Sequence, residues 1–194
     1  MRKTMISCIL LCFGLTAAVH AQEDGTERRP GRLVSFTEAG VLAGNSDNVN
    51  GAPFIFHSSL NYVILDRLSA GLGAGVEFLK ETHLPVTANV LYQFRRKAPV
   101  CPFVRFQTGY LIALESKMSS APVFYNVYYP PEEMEAKGGW LFTPAAGVIF
   151  YTKQRTGIVL SAGYRHQTLR YEGKDDRLLH VEYNRLLLTL GLIF

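Results

Sequence analysis

Along most of this chain, apolar residues occupy every second position, and the residues between them are small or polar. The stretch Leu68–Phe78 shows this most sharply, because Leu, Ala, Val and Phe alternate with Ser, Gly and Glu. Successive side chains of a β-strand point to opposite faces, whereas a helix would scatter these residues around its surface. Glycine at alternate positions also disfavours a helix, and on a strand it leaves one face nearly bare. The pattern predicts strands with one apolar face and one small or polar face.

The same alternation recurs in eight segments, from Leu33–Ala43 to Tyr183–Phe194. The first segment changes phase near Glu38, which predicts a β-bulge there. Short turns alternate with mostly longer loops, which are predicted at residues 44–52, 115–138 and 172–177, while the connection at 80–83 is shorter. This is the pattern of an up-and-down barrel whose two ends face different compartments. We therefore predict an all-β fold, an eight-stranded antiparallel transmembrane β-barrel over residues 33–194, with no second domain.

The distribution of charge indicates which face of the strands meets lipid. Charged residues make up 19% of the chain, below the ordinary quarter, and most lie in turns. Soluble surfaces carry many Lys and Glu, but the small-residue face has few charges. We therefore predict that the apolar face contacts the bilayer and that aromatic residues near the strand ends form interfacial girdles. The charges within strands then face the lumen, and they are Glu77, Arg105, Arg165 and Arg185, with Glu38 as a further candidate.

A lumen of eight strands has room only for side chains. An unpaired buried charge costs several kcal/mol, roughly 3–5 when a partner is removed, so Glu77 is expected to pair with at least one of the three arginines. The sequence leaves open which arginine this is. The resulting prediction is a lumen packed by inward polar and charged side chains.

The first residues have the pattern of a secretory signal peptide, with a basic start, an apolar run and a small-residue cleavage site. We predict that residues 1–21 are this signal, that cleavage follows Ala21, and that residues 22–32 form a polar periplasmic leader. Two of the three cysteines would leave with the signal, so an internal disulfide would be impossible. Cys101, beside a proline, is expected to be a small structural residue at a turn.

An export signal, eight alternating strands and a C-terminal Leu-Gly-Leu-Ile-Phe together resemble the small outer-membrane β-barrels of Gram-negative bacteria. The OmpA transmembrane domain and OmpX are of this type, and such chains are often labelled porin family, a label for the fold that does not imply a pore. Phe194, with Leu192 and Leu190 at alternate positions before it, resembles the sorting signal read by the barrel-assembly machinery. The resemblance implies a location in the cell outer membrane, with outer-membrane lipid and that machinery as partners. It also implies that both chain ends and the short turns are periplasmic, with the longer loops outside the cell.

We expect a structural or surface-interaction role without enzymatic activity. The longest predicted loop, residues 115–138, contains Tyr125, Tyr128 and Tyr129. Exposed tyrosine is large, rather rigid and amphipathic, which makes these residues candidates for contact with a surface partner. The alternative is a loop that only caps the barrel or extends its strands.

Three other functions remain open at this point. A soluble, exported, lipocalin-like barrel would bury the apolar face around a ligand pocket. A barrel serving as a secretion accessory would have the same pattern. A lipid A-modifying enzyme would need a histidine-activated serine and a carboxylate, for which the candidates are His57, Ser58, Ser59, Glu77 and Glu81. His57 and Ser59 are predicted to face the lumen, away from the bilayer, which disfavours this activity.

The remaining motifs give no sign of a bound cofactor. The histidines show no metal-ligand spacing, and the alternating glycines of the third segment do not open a helix as a dinucleotide fingerprint would. A net charge of +4 over 194 residues is too dilute to form a nucleic-acid surface. We therefore expect no metal, no cofactor and no nucleic-acid partner.

Overall fold

The computed structural model describes residues 32–44, 52–79, 82–95, 98–114, 135–152, 156–173 and 178–194. These residues form a closed barrel of eight strands in which each strand pairs antiparallel with the next and β1 pairs with β8. The strands are β1 Leu33–Ala43, β2 Phe54–Leu65, β3 Leu68–Phe78, β4 Thr82–Gln93, β5 Val100–Ala113, β6 Glu135–Tyr151, β7 Gly157–Glu172 and β8 Leu178–Ile193. The predicted fold class and strand number are therefore confirmed. No helix long and apolar enough to cross a membrane occurs in these ranges.

The two ends of the barrel differ in the length of their connections. One end, called the turn end below, holds the start of β1, the end of β8 and the connections β2–β3, β4–β5 and β6–β7. The other end, called the loop end, holds the connections β1–β2, β3–β4, β5–β6 and β7–β8. The β2–β3 turn consists of two residues, whereas β5 and β6 are separated by residues 114–134. The two longest connections, β1–β2 and β5–β6, both lie at the loop end, as predicted. The β3–β4 connection at the same end has only residues 79–81 and is shorter than β4–β5 and β6–β7 at the turn end.

The predicted bulge at Glu38 is wrong. Glu38 pairs with His57 on β2 and with Gly191 on β8, and both ladders run past it without a shift of register. Val34 and Phe36 share the inward face with Glu38 and are buried. The apparent change of phase comes instead from a change in lumen chemistry along β1, from apolar to charged side chains.

Several predicted connections turn out to be strand. Cys101 was expected at a turn, but it lies in β5, pairs with Ile149 and is fully buried on the inward face. β6 begins at Glu135, inside the predicted loop 115–138, whereas β8 begins at Leu178, directly after the predicted connection 172–177. The sheet therefore extends further at the loop end than the apolar alternation alone indicates.

A bulge occurs near the start of β6, where the ladder with β7 shifts register between Ala136 and Gly138. Gly138 has a φ of 84°, which side chains with a Cβ rarely adopt. A Cβ at this position would also lie 2.0 Å from the carbonyl oxygen of Leu111. Glycine is thus required where β6 leaves β5 and continues beside β7 alone.

The outward face of the barrel is apolar and exposed. Leu72 is 69% exposed, Leu186 is 62% exposed and Leu190 is 58% exposed, although all three lie within strands. The inward face holds the buried polar and charged side chains, including Glu38 and Glu77. A soluble lipocalin-like barrel would have the opposite arrangement, so that alternative is excluded by the direction of the two faces.

Aromatic side chains border the apolar surface at both ends. At the loop end, the rings of Tyr110 and Trp140 meet edge to face at 5.7 Å between ring centres. At the turn end, Tyr92 and Phe94 do the same at 5.2 Å. Along β6, Trp140 and Phe150 are separated by ten residue steps, roughly 33 Å of strand and about 25 Å of height at the usual tilt. That height matches the hydrocarbon thickness that membrane barrels span.

Candidate functional site

Three layers of side chains fill the lumen, apolar at each end and polar between them. The turn-end cluster consists of Val34, Phe36, Val63, Leu91, Cys101, Phe103, Ile149, Val159 and Ile193, with Tyr151 against it. The loop-end cluster consists of Leu42, Ile55, Leu79, Leu111, Ala136, Leu141, Leu169, Tyr171 and Leu187, with Ala113, Leu179, Val181 and Tyr183 against it. An ion moving along the axis would have to cross both clusters, and apolar constrictions oppose the passage of water and ions.

One ion pair in the polar layer joins β1 to β5. Arg105 Nη2 lies 2.7 Å from Glu38 Oε1 and 3.0 Å from Oε2, and both side chains are only 2% exposed. The Thr189 hydroxyl donates to Glu38 Oε2 at 3.0 Å. The Arg105 guanidinium also lies 4.9 Å from the centre of the Phe36 ring. Glu38 is therefore the carboxylate that balances Arg105, and three separate contacts hold this pair.

A second ion pair joins β3 to β7. Arg165 Nη2 donates to Glu77 Oε1, and both side chains are buried. Of the three arginines that the sequence left open, Arg165 is the one that contacts Glu77. The other carboxylate oxygen, Oε2, has no hydrogen-bond partner in the described ranges.

Arg185 has no such partner. It lies on β8 directly opposite Arg165 and is 1% exposed. Its guanidinium lies 4.9 Å from the centre of the Tyr183 ring, but none of its three nitrogens has a hydrogen-bond partner within the described part of the chain. The buried acidic and basic side chains in the strands are two glutamates and three arginines, which gives a net charge of 3 − 2 = +1.

The glycines of β3 make room for polar side chains of β2. A Cβ on Gly73 would lie 2.5 Å from Cε1 of the His57 ring, so the imidazole lies directly over the bare strand. His57 Nε2 is 2.8 Å from the hydroxyl oxygen of Thr87 on β4. The predicted small face of β3 thus accommodates a neighbouring side chain and leaves no open channel there.

The residues considered for lipid A chemistry have other contacts. His57 is bonded to Thr87, Ser58 lies on the outward face with its hydroxyl 3.0 Å from that of Thr37, and Glu77 is paired with Arg165. None of these hydrogen bonds joins the histidine to a serine or a carboxylate. Glu81 lies outside the described residues. The part of the chain that the structure describes also has no group of three potential metal ligands.

Strands β7 and β8 continue beyond the apolar surface at the loop end. Tyr164 and Leu186 form the last cross-strand pair of the outward apolar face, and the next pair is His166 with Asn184. The Tyr164 hydroxyl donates to Asn184 Oδ1 at 2.7 Å, and His166 Nδ1 lies 2.7 Å from the same oxygen. Further outward-facing pairs are Thr168 with Glu182 and Arg170 with His180. We call residues 135–139, 166–172 and 178–184 the outer extension.

The outer extension is two-faced. Its outward residues are polar except for Leu178, which is 65% exposed, whereas Leu169, Tyr171, Leu179 and Val181 on the inward face belong to or pack against the loop-end cluster. An antiparallel sheet with one packed face and one solvated face has this alternation. β7 and β8 each continue for seven residues, roughly 23 Å of length, and β6 for five.

One edge of the outer extension is open among the described residues. The ladder between β1 and β8 ends at the pair Ala43 and Leu186. Residues 178–184 therefore pair only with β7 in the part of the chain that the structure describes. An unpaired strand edge presents a row of backbone donors and acceptors to any strand that can add to it.

Lys137 forms a surface ion cluster on the outer extension. Its Nζ lies 2.9 Å from Glu135 Oε2 and 3.1 Å from Glu172 Oε2, and the three side chains are 40–49% exposed. Lys137 lies three residues beyond Trp140, outside the apolar band. The hydrogen bond to Glu135, and after it the one to Glu172, raises the pKa of Lys137 above its ordinary value.

The C-terminal residues close the barrel. The backbone of Phe194 exchanges two hydrogen bonds with Ser35, at 3.0 and 3.2 Å. Leu190 and Leu192 lie on the outward face and are 58% and 45% exposed. This geometry is compatible with the predicted assembly signal, whose recognition stays a prediction. The tyrosines predicted as surface contacts, Tyr125, Tyr128 and Tyr129, lie outside the described residues.

Sequence reasoning missed the outer extension and the roles of Thr189 and Thr87. The extension had a signal, because polar residues continue the outward rows of β7 and β8 at alternate positions. His166, Thr168 and Arg170 follow Tyr164, and His180, Glu182 and Asn184 precede Leu186. No comparable signal marks the two threonines, since their partners lie on distant strands.

The amino-acid sequence matches no protein-family model and no curated protein. Solved structures of similar fold include the crystal structure of Neisserial surface protein A, with 16% identity and a TM-score of 0.51, covering 83% of this chain and 94% of that one. The solid-state NMR structure of outer membrane protein AlkL, in DMPC lipid bilayers, has 10% identity and a TM-score of 0.55, and the match covers 90% of this chain and 94% of that one. At these identities the likeness concerns the fold.

The closed eight-stranded barrel, its exposed apolar band and its buried polar lumen define a small integral β-barrel of the outer-membrane type. The lipid-facing surface and the shared fold place this chain in the outer membrane, as its sequence predicts. The structure thereby confirms the class and the location.

Proposed function

We propose that this protein is a non-enzymatic, non-conducting barrel that acts at the cell surface through its outer extension. In this proposal the turn end faces the periplasm, and the extension and the long loops lie outside the cell. The observation that carries it is the polar outward face of β7 and β8, which begins one residue pair beyond the apolar band. Strands this long are unnecessary for spanning a bilayer, which needs about 9 to 11 residues.

The edge of β8 at residues 178–184, which pairs only with β7 within the described ranges, indicates how contact would be made. A partner segment in an extended conformation could pair with residues 178–184, so that backbone hydrogen bonds supply affinity. The outward side chains of the extension, which include His180 and Glu182, would then supply specificity. The loop with Tyr125, Tyr128 and Tyr129 is a second contact surface in the same proposal.

The absence of conduction follows from the lumen. Both apolar clusters lie across the axis, and two ion pairs fill the layer between them. We expect no conductance steps from the purified barrel in a planar lipid bilayer. Reproducible steps at moderate voltage would contradict this part of the proposal.

Shortening the hairpin tests the surface role. Replacing residues 169–181 by Asn-Gly joins the paired residues Thr168 and Glu182 through a two-residue turn and leaves the spanning strands intact. Cells producing this variant should lose the aggregation, or the adhesion to matrix-coated surfaces, that the full-length chain confers. Heat-modifiable gel mobility should stay unchanged, which shows that the barrel is folded.

A matched control changes the opposite end of the barrel. Asp66→Asn with Arg67→Gln alters the β2–β3 turn without touching the extension. Cells with this control should bind as the unaltered chain does. Equal binding by cells with the shortened hairpin, at equal surface amounts, would refute the role of the extension.

A further inference from the structure

Arg185 is a buried cation with no carboxylate of its own among the residues that the structure describes. Glu38 is committed to Arg105, and Glu77 gives its Oε1 to Arg165. The nearest side chains along β8 on its own face are Tyr183 and Leu187, and Leu187 belongs to the loop-end cluster. A charge in such surroundings is strongly disfavoured unless a counter-charge and hydrogen-bond acceptors are present.

Arg185 cannot escape this cost by losing its proton. A buried lysine or histidine can become neutral, but guanidinium stays protonated in proteins. Its Nε, Nη1 and Nη2 are donors only, and none has an acceptor among the described residues. An acceptor that bears negative charge would both satisfy these donors and balance the buried cation.

We propose that a small inorganic anion of the size of chloride binds in the lumen at Arg185. Arg165 stands directly across from it in the β7–β8 ladder, and its Nε also lacks a hydrogen-bond partner in the described ranges. Two guanidinium groups on neighbouring strands thus face the same region, and within the described ranges Glu77 is the one carboxylate in contact with either of them. Leu187 and Tyr183, the neighbours of Arg185 on its own face, belong to or pack against the loop-end cluster, so the proposed ligand is a small ion.

The anion site lies in the lumen and shares only Tyr183, whose ring contacts the Arg185 guanidinium, with the outer extension, so it is tested separately from the surface role proposed above. Glu77 is the side chain that competes with the anion, because its Oε2 has no hydrogen-bond partner within the described residues and it lies within electrostatic range of Arg185. A test must therefore distinguish an external anion from a carboxylate shared by both arginines.

The experiment measures thermal unfolding of the full chain, refolded in detergent, by gel mobility. Samples contain sodium chloride or sodium gluconate at equal ionic strength, because gluconate is too large for the site. We expect a saturable rise of the unfolding midpoint with chloride. Arg185→Met should abolish this rise, and Arg170→Met, the same change at an exposed position on β7, should preserve it.

Glu77→Gln shows whether the counter-ion of Arg185 is an external anion or the carboxylate of Glu77. If the anion serves Arg185, the unaltered chain already responds to chloride and Glu77→Gln lowers the chloride concentration needed for half the effect. If only Glu77→Gln responds, Glu77 serves both arginines and the proposal fails. It fails equally if Arg185→Met retains the chloride response.

A second measurement keeps the test valid if Arg185→Met does not fold. The chloride NMR line should broaden in the presence of the unaltered barrel, and added bromide should reverse the broadening. Arg185→Gln, which keeps a polar side chain of similar length, should give little broadening. An absence of broadening with the unaltered barrel would overturn the proposal.

Discussion

The Glu38–Arg105 pair in the lumen and the Lys137 cluster on the outer extension use the same chemistry in different surroundings. Their shortest nitrogen–oxygen distances are 2.7 Å and 2.9 Å, so their geometry is nearly equal. Their exposure differs greatly, with 2% for both side chains of the buried pair and 40–49% for the surface cluster. Because water weakens the attraction between exposed charges, burial rather than distance decides what each pair contributes.

The group around Glu77 lies between these extremes. It is as buried as the first pair, but one carboxylate faces two arginines. A buried ion pair stabilises the fold only when its positive and negative charges balance, which is not the case among the described residues around Glu77. The variants below, in order of decreasing effect, test that ranking.

Arg105→Met should be the most damaging of these changes. It leaves Glu38 buried without its cation, and breaking a buried pair in this way costs about 3–5 kcal/mol. Urea unfolding of the barrel in lipid vesicles, followed by the fluorescence of Trp140, measures the loss. Adding Glu38→Leu should restore most of it, since an apolar pair needs no compensation. If the double variant is as unstable as Arg105→Met, the loss comes from packing and not from the uncompensated charge.

Arg165→Met should cost less, about 2 kcal/mol. Glu77 loses its partner, but Arg185 is placed on the neighbouring strand to replace it. The same unfolding measurement in Arg165→Met and in the combined Arg165→Met and Arg185→Met variant tests this substitution of partners. The double variant should lose clearly more than Arg165→Met alone, and an equal loss would show that Arg185 does not replace Arg165.

Thr189→Val should have a smaller effect, about 1 kcal/mol. It removes the hydroxyl that donates to Glu38 Oε2, while Arg105 continues to balance the charge. Thr168→Val is the matched control, because Thr168 lies on the outward face of the extension and should leave the unfolding midpoint unchanged. Equal losses in the two variants would contradict the proposed contribution of the Thr189 hydrogen bond.

Lys137→Met should have no measurable effect on unfolding at neutral pH, since an exposed cluster contributes little. The raised pKa of Lys137 nevertheless has a consequence for pH dependence. Its contribution is fully present below the ordinary pKa of lysine and is lost only as the pH rises through the higher folded-state value. NMR titration of the Lys137 ammonium group should show this raised pKa, and Glu135→Gln should lower it. A pKa at the ordinary value would contradict the cluster.

The faces of the strands could be predicted from the sequence because side-chain direction alternates residue by residue. β3 shows this well, since its observed limits, Leu68–Phe78, are those of the alternating run. The same local logic failed at Glu38, where inward apolar residues were taken for a change of phase. The alternation of side-chain direction along a strand is a reliable guide, but an apolar side chain can face either the lipid or the lumen.

The partners of the lumen charges could not be predicted, because they depend on how eight strands are staggered around the axis. Glu77 and Arg165 are 88 residues apart, and Glu38 and Thr189 are 151 apart. The start of β6 inside the predicted loop 115–138 was also missed, since polar residues beyond the bilayer look the same in a loop and in a solvated strand. Closure of the barrel supplies the information that local patterns lack.

The two apolar layers of the lumen matter to anyone who wishes to turn this barrel into a nanopore. Exchanging the charged residues of the polar layer would leave both apolar clusters in place, and the lumen would stay closed. Opening the turn end would require replacing Phe36 and Phe103, whose rings meet edge to face at 6.0 Å between ring centres, with smaller residues. The loop end would likewise require smaller residues in place of the aliphatic side chains of its cluster. Only then would the surplus positive charge become a filter, and it would favour anionic analytes over cationic ones.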